Sequence, residues 1–319
     1  MKEKLRIVFM GTPEFAVGIL DALMKSKHEV VGLVTVADKP AGRGQQVQQS
    51  AVKQYALHHD LPVLQPDKLR DEHFLSDLAA FQADLFVVVA FRMLPDLVWK
   101  MPEMGTINLH ASLLPNYRGA APINWAIMNG EKETGVSTFF INEQIDTGAI
   151  IAQRKTPIGM QMSAGELHDE LKDIGAQLTV ETVDQIAQGN VPTILQDPND
   201  QNLPHAPKIF KADCEIDWKE EAQLNHNRIR GLSPYPAAWC KLWSKKKATW
   251  ITFKLFGSAV ITDVIAIRND GPFSQPNGIV FPSGKGFVCI KEIQAEGKKR
   301  MDYKAFLAGN DLFDLAFNA

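Results

Sequence analysis

The chain has 319 residues, 45% of them hydrophobic and 22% charged, which is ordinary for a soluble, well-packed protein and long enough for two domains. Cys214, Cys240 and Cys289 are far apart, with no CxxC and no cysteine–histidine spacing suited to zinc, so no disulfide framework is implied and reduced, buried thiols of a cytosolic protein are expected. Net charge is only -3 but uneven: from Ile209 onward 16 Lys+Arg face 12 Asp+Glu, against 18 and 25 before it, a balance that suits a polyanionic partner without demanding one.

Leu5 to Met10 is a buried-strand pattern, followed by a Gly11-Thr12-Pro13 turn and a predicted helix from Glu14 to Lys25, with Pro13 suited to its first turn. Thr12-Pro13-Glu14 also interrupts the apolar run before it could serve as a signal-peptide core. Val30 to Val36 is the next strand, completing a β-α-β unit. Its first turn reads G-T-P-E-F-A, lacking the second glycine that lets a pyrophosphate approach the backbone, which argues against NAD. Ala37 to Gln49 has little apolar periodicity and reads as an exposed loop carrying Arg43 between Gly42 and Gly44.

Helices follow at Ser50 to His59 and Asp71 to Phe81, separated by a short extended piece at Pro62 to Leu64. His58 and His59 are neighbours on a helix and point apart, so they are surface residues and no metal site. Asp84 to Ala90, DLFVVVA, suits a strand covered on both faces. The longest strongly apolar run, Leu85 to Phe91, is far shorter than the roughly 18 residues a membrane-spanning helix requires.

Gly105 to Leu109 is a short strand that ends in a polar pair. Asn108 and His110, two residues apart, project from one face at its carboxyl end, where open α/β sheets keep their ligands. An amide that donates to a developing oxyanion would then stand beside an imidazole that takes a proton. A helix from Pro122 to Met128, strands at Val136 to Ile141 and Ala149 to Thr156, and a helix from Ala164 to Gln188 complete the first part. Residues 190 to 208 carry Pro192, Pro198, Pro204 and Pro207, too many for a helix or central strand, and read as a linker.

Four ordered motifs now stand in one part of the chain: Asn108-Leu109-His110, Ser112 to Pro115 (SLLP), Arg118 to Ile123 (RGAAPI) and Asp146-Thr147-Gly148. Together they resemble the folate-dependent formyltransferases. The resemblance implies an α/β, Rossmann-like catalytic domain with a mostly parallel sheet over residues 1–189. It implies 10-formyltetrahydrofolate as co-substrate, with no metal and no NAD. Asn108, His110 and Asp146 would be catalytic, with Ser112, Leu113, Leu114 and Pro115 shaping the folate wall. Phe91, Arg92, Met93 and Leu94 occupy the place where relatives line the pterin pocket, in a form one residue shorter than usual.

Beyond the linker, a helix from Glu220 to Arg230 leads to Gly231-Leu232-Ser233-Pro234-Tyr235-Pro236-Ala237-Ala238-Trp239, a turn followed by an aromatic anchor. Strand-like stretches follow at Trp250 to Phe256, Ala259 to Ile267, Gly278 to Phe281 and Phe287 to Ile293, a pattern that suggests a small barrel. This part resembles the carboxyl-terminal domain of those family members that formylate methionyl-tRNA, implying a smaller OB-like β-barrel domain over 209–319 that binds initiator methionyl-tRNA. Lys245, Lys246 and Lys247 with Lys298, Lys299 and Arg300 are its basic clusters; without the resemblance such runs read as solvated turns. The K-P-A-G-R-G loop is also a pattern of that branch, which places Arg43 toward the acceptor end of the tRNA, although Gln45 and Gln46 stand where basic residues are common.

Two other readings compete. A related formyltransferase acting on glycinamide ribonucleotide would lack the long second domain, and one acting on an amino sugar nucleotide would lack the K-P-A-G-R-G loop. A non-catalytic nucleic-acid-binding protein would not require Asn108, His110 and Asp146 together.

Overall fold

Parallel pairing starts at the apolar strand Arg6–Gly11, which lies between Glu29–Val34 and Leu85–Val89. In the computed structural model the described residues are 2–41, 46–189, 191–197, 202–264 and 268–318. The first sheet runs Ile150–Pro157, Glu133–Phe140, Thr106–His110, Leu85–Val89, Arg6–Gly11, Glu29–Val34, Val63–Leu64. Pairing is parallel from Thr106–His110 to Val63–Leu64, while Glu133–Phe140 joins Thr106–His110 antiparallel. Leu85–Val89 is buried at every position, as a strand covered on both faces must be. Val8, Met10, Phe86 and Val88 share one apolar cluster with Phe74 and Leu78 of the helix Glu72–Ala80. The alternate residues Ile7, Phe9, Leu85, Val87 and Val89 are buried as well.

Local signals set several helix boundaries. Ser50 and Asp71 each cap the helix that follows, accepting from the backbone N–H of Lys53 and Phe74. Within the stretch expected as an exposed loop after Val36, Lys39–Ala41 pairs antiparallel with Gln46–Gln48. Arg43 lies outside the described residues.

The chain forms two compact units. The first comprises Met1–Gly119, Thr134–Thr156 and His168–His205. Much of the proline-rich stretch is therefore built into this unit, where Ile194 exchanges two backbone hydrogen bonds of 2.8 Å with Ile150.

The second unit comprises Ala120–Glu133, Pro157–Leu167 and Ala206–Ala319. Its antiparallel sheet runs Phe273–Gln275, Gly278–Pro282, Phe287–Ala295, Thr249–Ile261, Ala238–Ser244, Leu315–Ala316, and Met301–Asp302 pairs with Phe287–Ala295. The sheet curls into a half-barrel, the form the expected barrel takes. Thr249–Ile261 is one strand where two were expected, the last three residues of the second, 265–267, lying outside the described residues; it keeps its register with Phe287–Ala295 past Gly257, whose φ of +54° breaks the pairing for one residue. Helices Pro122–Met128 and Ala222–Gly231 pack at Gly231, where a Cβ would stand 2.6 Å from Met128 and 3.1 Å from the Asn124 carbonyl. Arg230 donates to the carbonyls of Gly159 and Met162, and His226 to that of Met160, which pins the segment 157–167 within this unit.

Cys214, Cys240 and Cys289 are free and buried. Burial pushes all three thiols up, Cys240 to about 12, so none is activated as a nucleophile. Among the described residues no group of His, Cys, Asp or Glu could hold a metal ion, and no helix is long and apolar enough to cross a membrane.

Candidate active site

The strand Thr106–His110 pairs parallel on one edge and antiparallel on the other, so the sheet changes sense at it, and it carries Asn108 and His110 on one face. The Asn108 amide is partly exposed and makes no hydrogen bond among the described residues, so its donor is free for a ligand. His110 is 6% exposed, and its Nε2 lies 2.8 Å from the Tyr117 carbonyl. A carbonyl only accepts, so Nε2 carries the proton and, in the neutral ring, Nδ1 keeps its lone pair. Tyr117 has φ +59°, a costly conformation for a bulky residue, and its own N–H donates to Pro204 at 2.6 Å.

Asp146 comes from a turn that is heavily tied. The Asn142 carboxamide oxygen accepts from Gln144 N–H and from the Thr147 hydroxyl, each at 3.0 Å. Asp146 itself has φ +56°, and its Oδ2 accepts from Gly119 N–H at 2.9 Å. Gly148 is required by close approach, since a Cβ there would lie 1.6 Å from the Phe140 carbonyl. Asp146 Oδ2 stands 3.8 Å from His110 Nδ1, too far for a direct hydrogen bond. Two acceptors at that separation can share one hydrogen-bearing group between them.

The SLLP segment divides by depth. Ser112 is fully buried, its hydroxyl donating to Asn116 O at 2.6 Å, and Leu114 packs with Phe139 and Ile150. Ser137 fixes both: it donates to Ser112 O at 2.7 Å and accepts from Leu114 N–H at 3.0 Å, while Gln153 donates to Ser137 and Leu114 O, both at 2.8 Å. Leu113 and Pro115 are left half-buried, and they are the two of the four with surface to offer a ligand. In the other expected wall segment Met93 is 66% exposed, whereas Phe91 and Leu94 pack into the core. Arg92 gives its two terminal nitrogens to the carbonyls of Asp67 and Pro66, while its buried Nε makes no hydrogen bond among the described residues.

In the second unit the basic clusters differ in freedom. Lys245 lies 3.6 Å from Asp270, Lys246 is 3.3 Å from Asp311, and Arg300 is 2.5 Å from Glu292 and 4.0 Å above the Phe256 ring. Lys247, Lys298 and Lys299 have no ion pair among the described residues.

Sequence reasoning singled out Asn108, His110 and Asp146, and the first unit brings His110 and Asp146 together beside Asn108. It missed Tyr117, Ser137 and Gln196. Gln196, inside the proline-rich stretch, donates to the Asp146 and Gly148 carbonyls.

Residues 5–183 match the family model described as formyl transferase, and residues 208–311 match that of the formyl transferase C-terminal domain. The methionyl-tRNA formyltransferase of Flavobacterium johnsoniae is 50% identical over 98% of this chain and 99% of its own. That of Bacteroides fragilis is 48% identical over 97% and 96%. Among solved structures, HypX from Aquifex aeolicus in complex with tetrahydrofolic acid shares the fold with a TM-score of 0.65 at 17% identity, over 95% of this chain and 47% of that one. WlaRD, a sugar 3N-formyl transferase, gives 0.62 at 18% identity over 92% and 99%.

Proposed function

The chain belongs to the formyl transferase family, and on that premise we propose that it moves the formyl group of 10-formyltetrahydrofolate to the amino group of methionine on initiator methionyl-tRNA, in the cytoplasm. The observation that carries this reading is 50% identity across both parts of the chain to a relative named methionyl-tRNA formyltransferase. In this reading the first unit performs the transfer and the second, through Lys247, Lys298 and Lys299 more than their paired neighbours, holds tRNA phosphates. Arg43 is assigned to the acceptor end.

The chemistry needs a base, an oxyanion donor and a way to return the proton. The attacking amine sits between His110 Nδ1 and Asp146 Oδ2, both acceptors, so its N–H bonds are oriented while its lone pair faces the formyl carbon. Asn108 donates to the formyl oxygen as negative charge develops there. Nδ1 takes the proton lost by the amine, and the imidazolium is held by the Tyr117 carbonyl on one side and Asp146 on the other. The same proton then passes to the folate nitrogen as its bond to the formyl carbon breaks. Leu113, Pro115 and Met93 offer the apolar surface a flat pterin ring requires.

Formylation of charged initiator tRNA, measured beside glycinamide ribonucleotide and an amino sugar nucleotide with 10-formyl and 5-formyl donors, tests the assignment. Faster transfer to either small amine would overturn it.

A further inference from the structure

We propose that Gln196 is a positioning residue for the reaction: a carboxamide from the proline-rich stretch that holds the Asp146 turn in register with His110. The inference rests on the catalytic reading of Asp146 given above.

The Gln196 side chain is a two-sided clamp. Its Nε2 donates to the Asp146 carbonyl at 3.1 Å and to the Gly148 carbonyl at 2.7 Å, so both hydrogens are used on the turn. Its Oε1 accepts from Arg118 Nη2 at 2.8 Å and Nε at 3.3 Å. Arg118 is 8% exposed, and its Nη2 also reaches the Asp197 carbonyl at 3.2 Å. A buried guanidinium has little freedom once forked onto two acceptors, so it fixes the amide orientation: oxygen toward Arg118, nitrogen toward the turn.

That orientation bears on the chemistry through backbone conformation. Asp146 occupies the left-handed region at φ +56°, which a non-glycine residue keeps only where its surroundings hold it. Gln196 grips the carbonyl of Asp146 and the carbonyl two residues on. The Asp146 carboxylate, seated on Gly119 N–H, then has one direction in which to face Nδ1 of His110. The same stretch also supports the imidazole, since Pro204 accepts from the N–H of Tyr117, whose carbonyl sets the His110 tautomer.

Two substitutions separate positioning from folding. Gln196→Ala removes the clamp, whereas Gln196→Glu keeps its length and the acceptor for Arg118 but has no N–H to give. Single-turnover formylation, KM for each substrate and the thermal midpoint are measured for both, alone and with Asp146→Ala. Both single variants are expected to lower kcat by about 10- to 100-fold with KM for the formyl donor within about twofold, since misplacing a reacting group acts on the chemical step. Gln196→Glu is expected to melt near the parent temperature. On Asp146→Ala, Gln196→Ala should cost less than about threefold more, as for residues acting through one group. Near-parental kcat in both Gln196 variants while Asp146→Ala is impaired would overturn the inference alone, as would a full multiplicative loss in the double variant. Near-parental turnover of Asp146→Ala would overturn the role of Asp146 and this inference with it.

Discussion

Ser137→Ala should loosen the segment that follows the catalytic strand. Ser137 is fully buried and sits on the strand antiparallel to Thr106–His110, paired with His110 itself. Its hydroxyl donates to Ser112 O, accepts from Leu114 N–H and accepts from Gln153. Gln153 retains its bond to Leu114 O, so two groups are orphaned by the change: the Leu114 N–H and the Ser112 carbonyl. Leaving a buried group unpaired costs about 1–3 kcal/mol, and two of them about 2–4 kcal/mol locally, because part of the strain relaxes. At a tenfold change per 1.4 kcal/mol this corresponds to roughly 30- to 1000-fold faster exchange of the Leu114 amide. Hydrogen exchange read on a peptide spanning 112–118 measures it, with a peptide from the second unit as internal control. KM for the formyl donor should rise with it, because Leu113 and Pro115 lose their fixed placement. A Leu114 amide that exchanges within about threefold of the parent would refute the reasoning.

Asn108→Ala should lower kcat by about 100- to 1000-fold with little change in tRNA affinity, and combining it with His110→Ala should cost less than the product of the singles; rapid-quench formylation checks both. Neutralising Lys247, Lys298 and Lys299 should reduce the slope of log affinity against log salt by more than neutralising Lys245, Lys246 and Arg300, by up to about 0.9 per lost phosphate contact, since the second set is already paired. Burial holds the His226 imidazole below its ordinary 6.5, so the folded second unit resists a proton that the unfolded chain accepts. The stability contributed by neutral His226 is complete above that value and is lost as pH falls through it toward the lower folded value. Melts of the second unit should therefore fall from about pH 7 to 5, and His226→Gln should flatten that slope.

The sheet of the first unit was legible because its strands carry the signal in their own residues. Leu85–Val89 is unbroken apolar, and Ser50 and Asp71 announce the helices they cap. Asn108 and His110 were legible for the same reason, since a two-residue spacing on a strand is a statement about one face. The strand Ala238–Ser244 was not foreseen: only Ala238 and Trp239 fall in the run read as a turn and an aromatic anchor, and its burial pattern does not alternate. Tyr117, Ser137 and Gln196 were not legible. Tyr117 contributes a backbone carbonyl, Ser137 a hydroxyl 25 residues from the carbonyl it holds, and Gln196 a contact 50 residues from Asp146. Nothing in local periodicity or composition encodes such partners. A proline-rich segment lacks helical and strand periodicity whether it is tethered or embedded.

The threading of the second unit has a consequence for how it can be inherited or borrowed. The helix Pro122–Met128 supplies Met128 to the core around Trp239, Phe253 and Phe281, and it is encoded long before the half-barrel it joins. A gene fragment beginning at the proline-rich stretch would make the half-barrel without this helix or the 157–167 segment, leaving Gly231 and Arg230 facing water. On a ribosome, likewise, residues 120–133 must wait for the helix Ala222–Gly231 before they find their neighbours. Recombination at that apparent boundary would therefore separate parts of one core, and moving the second unit between relatives requires moving its three segments together.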